Sequence, residues 1–141
     1  MGKAKKKRNM MREEIPCIVF LSSNENKDEE LAEKKENRQF KYIYDYAKTH
    51  GLVPVRIARR GCMSQNVCNQ MFERCLSLMY KGKARAVVVA NMASISSSMC
   101  DAYKKIGLIN ENGFKIFSVD EGELKLNLIG FKEEQNIEEK R

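Results

Sequence analysis

Serines and one pair of arginines are the residues whose placement in this chain suits chemistry. Ser22 follows the short apolar run Ile15-Pro16-Cys17-Ile18-Val19-Phe20-Leu21. Ser94, Ser96, Ser97 and Ser98 follow a second run, Ala86-Val87-Val88-Val89-Ala90. Arg59 and Arg60 follow a third, from Leu52 to Ala58. A serine hydroxyl is a nucleophile once a neighbour activates it. A guanidinium holds a phosphate or a developing oxyanion. Together these types point to phosphate binding or phosphoryl chemistry. Each has a plainer alternative. Ser22 can cap a turn, Ser96-Ser97-Ser98 can supply a helix N-cap, and Arg59-Arg60 can be a solvated loop. A helix N-terminus can also hold an anion through its backbone N–H groups alone.

Other chemistries find less support. His50 is the only histidine and falls at a helix end on the opposite edge of the expected sheet, so a Ser-His-Asp triad is not expected. There is no Gly-rich P-loop. No acids cluster at the strand ends to hold magnesium, which argues against a receiver-type phosphoacceptor. The five cysteines, at 17, 62, 68, 75 and 100, form no CxxC pair, so neither a zinc site nor any other metal or cofactor is expected. Cys68 and Cys75 fit a helix as small core residues.

The elements that must position these residues alternate. Ile15–Leu21, Leu52–Ala58, Ala86–Ala90 and Phe114–Val119 read as strands rich in β-branched residues. Pro16 is tolerated at a strand start. Phe40, Ile43, Tyr44 and Ala47 recur at helical spacing, and His50-Gly51 closes that helix. Phe72, Cys75, Leu76 and Met79 mark a second helix over Gln65–Tyr80, and Met99, Ala102, Tyr103 and Ile106 a third. Tyr42, Tyr44 and Tyr46 cannot share one helix face and make no base-stacking platform. Residues 25–38 are loop or an exposed helix start. Glu123–Leu128 alternates as an edge strand does.

The expected fold class is therefore α/β, with three layers and a mainly parallel sheet of four to five strands in the flavodoxin-like order 2-1-3-4. Its switch point lies between the first and third strands, where open α/β sheets bind ligands. Ser22 and the Asn91–Ser98 stretch stand at that crevice.

The 141 residues suit one domain with its own core, and the net charge is +7. Six cations, Lys3, Lys5, Lys6, Lys7, Arg8 and Arg12, fall in residues 1–12 with no acid among them. Removing those six leaves the rest of the chain near +1, so the basic character belongs to a tail. Such a tail neutralises DNA phosphates or merely keeps the chain soluble. No apolar run approaches a membrane span, and no secretory signal follows the basic start. The expected location is the cytoplasm, with no membrane partner.

The chain also resembles the catalytic domain of the serine recombinases, the resolvase/invertase family, over roughly residues 15–121. Ile18-Val19-Phe20-Leu21-Ser22-Ser23 is similar to the family's Tyr-x-Arg-Val-Ser-Thr, which puts Ser22 at the nucleophile position. Gln39, Tyr46-Ala47 and Gly51 match the family's Gln, Tyr-Ala and Gly. Ala93-Ser94-Ile95-Ser96-Ser97 aligns with Asp-Arg-Leu-Ser-Arg, and Ser118-Val119-Asp120-Glu121 with Ser-Val-x-Glu. The resemblance implies a resolvase-like fold, a DNA phosphodiester substrate and a phosphoseryl intermediate held by several arginines. The departures are as informative. Phe20, Ser94 and Ser97 stand at Arg positions and Ala93 at the Asp. Arg60-Gly61-Cys62-Met63-Ser64 is a trace of Asp-x-Gly-x-Ser-Gly, and no Arg-Pro follows. Removing one preorganised oxyanion contact costs on the order of 100- to 1000-fold in rate.

The expectation is a basic disordered tail (1–14), a resolvase-like catalytic domain (15–121), and an edge strand with a charged tail (122–141). About twenty residues after the fourth strand leave no room for the family's dimerisation helix and DNA-binding module. The resemblance implies a role in site-specific DNA recombination with impaired cleavage. Ser22 is the candidate nucleophile. Arg59, Arg60, Ser94, Ser97 and the tail cations are the candidate phosphate or DNA contacts. The expected partners are DNA, bound weakly and non-specifically by this chain alone, and a second copy or an intact recombinase. Two alternatives stand beside this one: a non-enzymatic module that binds DNA or regulates a recombinase, and a flavodoxin-like binder of a small phosphate or nucleotide.

Overall fold

Cys17 to Leu21 is apolar at every position, and all five side chains are buried. A strand of that kind needs cover on both faces, and the rest of the fold supplies it. The computed structural model describes residues 14–24 and 27–126. The expected basic tail with Lys3, Lys5, Lys6, Lys7 and Arg8, and the expected charged tail from residue 127 on, lie outside the described residues.

Five strands form one sheet: β1 (Ile15–Leu21), β2 (Leu52–Arg59), β3 (Ala86–Val89), β4 (Lys115–Ser118) and β5 (Gly122–Glu123). Their order is β2-β1-β3-β4-β5. The first four are parallel and β5 pairs antiparallel with β4. The expected order 2-1-3-4 with an added edge strand is what forms. That edge strand is two residues long. Its pairing register ends at Glu123, although Leu124 still donates its N–H to the Ile116 carbonyl.

Helices α1 (Glu29–Thr49), α2 (Gln65–Tyr80), α3 (Met92–Ile95) and α4 (Met99–Glu111) complete the three layers. On one face, Cys17, Val19 and Leu21 of β1 pack with Ile43 and Ala47 of α1. On the other, Ile18 and Phe20 pack with Cys68, Phe72 and Cys75 of α2 and Ala102 and Ile106 of α4. The period-two alternation of one strand thus sorts its side chains between two cores. Burial pushes the Cys17 and Cys75 thiols up to about 12, which makes them inert core groups.

Local capping sets the helix starts. Asp28 accepts from the Leu31 N–H and puts Glu29 and Glu30 in the first turn of α1, where the helix dipole favours acids. Helix therefore begins within the charged stretch whose pattern reads equally as loop or helix. Ser64 caps α2 and Ser98 caps α4, the latter in line with the serine run. The single turn α3 is an addition to the expected elements. Asn91 builds it by accepting from the Ser94 N–H. The spacing of Met99 and Tyr103 puts them on the inner face of α4, and the structure corrects this. The core takes Ala102, Ile106 and Ile109 instead, and leaves Met99 58% and Tyr103 46% exposed. Among the described residues, no helix is long and apolar enough to cross a membrane.

Phe20 and Phe72 meet edge to face, with ring centroids 6.3 Å apart, and both are buried. Phe72→Ala should therefore lower stability by about 3–5 kcal/mol, read as a shift of the urea midpoint with an unchanged slope.

Candidate functional site

Three strand ends meet at the carboxyl edge of the sheet. A bulge in the β1–β2 pairing decides what stands there. Cys17 lies opposite Pro54 but Ile18 lies opposite Arg56, so Val55 is an extra residue. From that point Leu21 is opposite Arg59, and Ser22 and Arg60 leave the sheet together. Without the extra residue Arg59 would face Ser22. The Arg60 N–H extends the ladder by donating to the Leu21 carbonyl at 3.0 Å.

The sequence offers Arg59 and Arg60 as a pair, and the structure separates them. Arg59 is exposed and donates to the Asn37 side chain on α1 at 2.5 Å. Arg60 is only 5% exposed. Its Nη1 donates to the Ser22 hydroxyl at 3.2 Å and to Asn24 Oδ1 at 2.8 Å, and its Nε donates to the Met63 carbonyl at 2.9 Å. Three acceptors thus fix a planar guanidinium whose nitrogens are donors only. Arg60 cannot take a proton from Ser22. A donor aimed at Oγ instead favours the hydroxyl's ionised form.

Ser22 is 1% exposed. Its backbone is held by Gln39 of α1. The Ser22 N–H donates to Gln39 Oε1 at 3.0 Å, and Gln39 Nε2 donates to the Ser22 carbonyl at 2.8 Å. One amide side chain therefore does for Ser22 what a neighbouring strand would do. It also reaches the Ser94 hydroxyl at 3.5 Å. Ser94 is buried in α3, where its N–H and Oγ both donate to Asn91 Oδ1, at 3.0 and 3.2 Å. Ser97 is exposed between α3 and α4. Asn24 closes the crevice. It donates to the Ala93 carbonyl at 2.7 Å and has the left-handed φ of 61° that Asn tolerates.

Sequence reasoning puts Asn24 at the crevice, as the end of Ser22-Ser23-Asn24, without its bond to Arg60, and it missed Glu36. Glu36 lies in a run of charged residues that reads as solvated, yet it is 1% exposed. Its carboxylate accepts the Gly61 N–H at 2.6 Å. Gly61 has φ +63°, so this turn suits glycine. Burial pushes the Glu36 carboxyl above its usual range, while the Gly61 N–H and the charges of Arg59 and Arg60 pull it part of the way back. A helical spacing signal would have found Glu36, because it falls in phase with the buried Ala32, Ile43 and Ala47. His50 lies at the far end. Gly51 beside it bonds the first residue of β1, and the seven-residue strand separates it from Ser22 by about 20 Å at ~3.3 Å per residue. Among the described residues, no group of three or more His, Cys, Asp and Glu is gathered to hold a metal ion.

A carboxyl whose native pKa is raised binds its proton more tightly in the folded state. Its contribution to stability is then greatest below the ordinary value of 4.5 and falls as pH rises past it. Glu36→Gln keeps the acceptor for Gly61 and removes the titration. Melting temperatures followed upward from pH 4 should fall for the wild type relative to this variant.

No family model matches the sequence, and no curated protein matches it. Solved structures do. The N-terminal catalytic domain of TP901-1 integrase superposes with a TM-score of 0.64 at 13% identity, covering 76% of this chain and 79% of that one. A resolvase family site-specific recombinase from Streptococcus pneumoniae gives 0.64 at 15% identity, covering 89% and 92%. The C-terminal catalytic domain of ISC1926 TnpA, an IS607-like serine recombinase, gives 0.54 at 16%, covering 74% and 70%. The sheet order, the crossing helices and these superpositions agree that this chain has the fold of serine recombinase catalytic domains.

Proposed function

We propose that this chain acts in site-specific DNA recombination as a resolvase-like serine recombinase domain with impaired strand cleavage. The observation that carries this reading is the buried 3.2 Å contact between Arg60 Nη1 and Ser22 Oγ. It sets a hydroxyl and a cation together at the sheet edge where this architecture binds ligands. The substrate on this reading is a DNA phosphodiester. Ser22 Oγ bonds to phosphorus, the phosphorus–oxygen bond to one deoxyribose breaks, and the hydroxyl proton ends on the departing oxygen. A phosphoseryl link and a free DNA hydroxyl end result. Arg60 holds a non-bridging oxygen while charge builds there.

Two features support impairment. The first is that, among the described residues, Arg60 alone is recorded as a cation bonded to Ser22. Phe20 is buried against Phe72, Ser94 is bound to Asn91, and Ser97 and Arg59 stand outside the cluster. One guanidinium then does work that the family resemblance assigns to several. The second is closure. Arg60 is buried and Asn24 takes one of its Nη1 donors, which leaves fewer donors for a phosphate. The protein partner on this reading is an intact recombinase or a second copy of the chain.

A nicked DNA substrate that traps the phosphoseryl link tests this. A slow, small yield of covalent adduct is expected. Ser22→Ala should abolish it, and Arg60→Ala should lower its rate on the order of 100-fold. An adduct that survives Ser22→Ala would remove Ser22 from the chemistry.

The charge distribution favours a second reading, a DNA-binding or recombinase-regulating module. Six of the cations behind the +7 charge lie in residues 1–12. Its signature is the absence of any adduct, with DNA binding that weakens steeply with salt and falls when residues 1–12 are deleted.

A further inference from the structure

β2 is the outer strand on one side of the sheet. Its first half resists a new neighbour, because Pro54 has no N–H to give and Val55 is the bulged residue. From Arg56 to Arg59 the pairing with β1 is regular again. Among the described residues, no strand takes the outer edge of this stretch. The free edge of a regular strand is a template for another extended segment.

The same stretch walls a groove of about 520 Å³ that α2 closes from the other side. Three arginines line it, Arg56, Arg59 and Arg74, and among the described residues no acid does. The rest of the lining is apolar and includes Ile57, Met63 and Met71. Ile57 and Met63 are 52% and 45% exposed, so apolar surface meets water here. Arg56 pairs in register with Ile18, whose side chain lies in the core under α2. Arg56 therefore leaves the sheet on the side of α2, where Arg74 lines the same groove. Both are exposed, and neither makes an ion pair among the described residues. Arg59 is held only by the neutral Asn37 side chain.

This pattern specifies an occupant. Arg56 and Arg59 bound the regular stretch, and Ile57 and Ala58 lie between them. A matching segment has apolar residues in the middle and carboxylates on either side. Duplex DNA supplies the charge but no apolar side chain, so the groove favours a protein. We propose that an extended, acid-flanked apolar segment of a partner protein docks here. It adds a strand beside Arg56–Arg59, fills the groove with its apolar side chains, and sets its carboxylates against Arg56, Arg74 and Arg59. Neither Ser22 nor Arg60 lines the groove, so docking leaves their contact in place.

The probe is a fluorescent peptide, Glu-Glu-Val-Ile-Val-Glu-Glu with blocked ends, titrated with the full chain and followed by anisotropy. It should bind, and the Arg56→Glu/Arg74→Glu variant should bind it about tenfold more weakly or worse. A peptide with lysine in place of each glutamate should reverse that preference. Backbone amide exchange within Arg56–Arg59 should slow in the complex. Equal affinity of the two proteins for the acidic peptide would overturn the proposal, as would binding that leaves the β2 amides unprotected. Duplex DNA that displaces the peptide, and whose own binding is lost in the same variant, would make the arginines a DNA contact instead. Self-association of the chain that the peptide disperses would make the groove an interface between copies and overturn the partner.

Discussion

Burying β1 on both faces creates a constraint that the site then answers. A strand covered by α1 on one side and by α2 and α4 on the other cannot fray into solvent at its carboxyl end. The polar groups of Ser22 must find partners inside the protein, because an orphaned buried donor or acceptor costs roughly 1–3 kcal/mol. Gln39 satisfies the backbone N–H and carbonyl from α1. Arg60 satisfies the hydroxyl from the end of β2. Three elements therefore converge on one serine for reasons of hydrogen bonding alone. The same convergence makes a rigid site, since neither Ser22 nor Arg60 can move without leaving a buried group unpaired.

The position of the cation follows from the two-layer sorting of β1. A charge at residue 20 would point into the layer that holds Phe72, Ile106 and Val89, where desolvation is costly. Phenylalanine fits that layer edge to face with Phe72. A charge arriving from β2 meets different surroundings. It lies where strand ends expose carbonyls and polar side chains, and it finds three acceptors. An arginine suits that geometry better than a lysine, because its donors already diverge at the needed angles. The Val55 bulge selects which of two consecutive arginines takes the place.

Much of this was legible in the sequence, and the rest has a common cause. Strand and helix periods reveal which side chains face a core, and they located Ile15–Leu21, Gln65–Tyr80 and the parallel order correctly. They also put Ser22, Arg59 and Arg60 at one edge. A period carries no information about a partner seventeen or thirty-eight residues away. The Gln39 clamp, the role of Asn24 and the choice of Arg60 over Arg59 depend on such partners. Glu36 was hidden by composition, because one buried carboxylate among neighbours of either charge looks like another solvated residue. Tyr103 was misplaced for the opposite reason. α4 carries two apolar stripes, and a single helical period cannot say which one the sheet takes.

Two buried cations show how the fold separates structure from chemistry. Lys105 is nearly as buried as Arg60 and ties α4 to α2 and α3 through Asn69 and the Ile95 carbonyl. It also faces Asp101 at 2.9 Å, and that contact holds the Asp101 carboxyl below its usual range. The positive charge of Lys105 is met by a full negative charge, so it staples three helices and offers little field to a ligand. Arg60 donates to a hydroxyl, an amide oxygen and a backbone carbonyl, all of them neutral. The nearby Glu36 carboxylate accepts from the Gly61 N–H, while the charges of Arg59 and Arg60 pull its titration down against the effect of burial. Arg60 is therefore hydrogen-bonded by neutral groups alone, and one of its donors points at Ser22. In a low-dielectric setting a fixed cation with no carboxylate hydrogen-bonded to it is suited to binding an anion. That difference, rather than the presence of arginine, is why the carboxyl edge and not the α2–α4 contact is the place to look for phosphate.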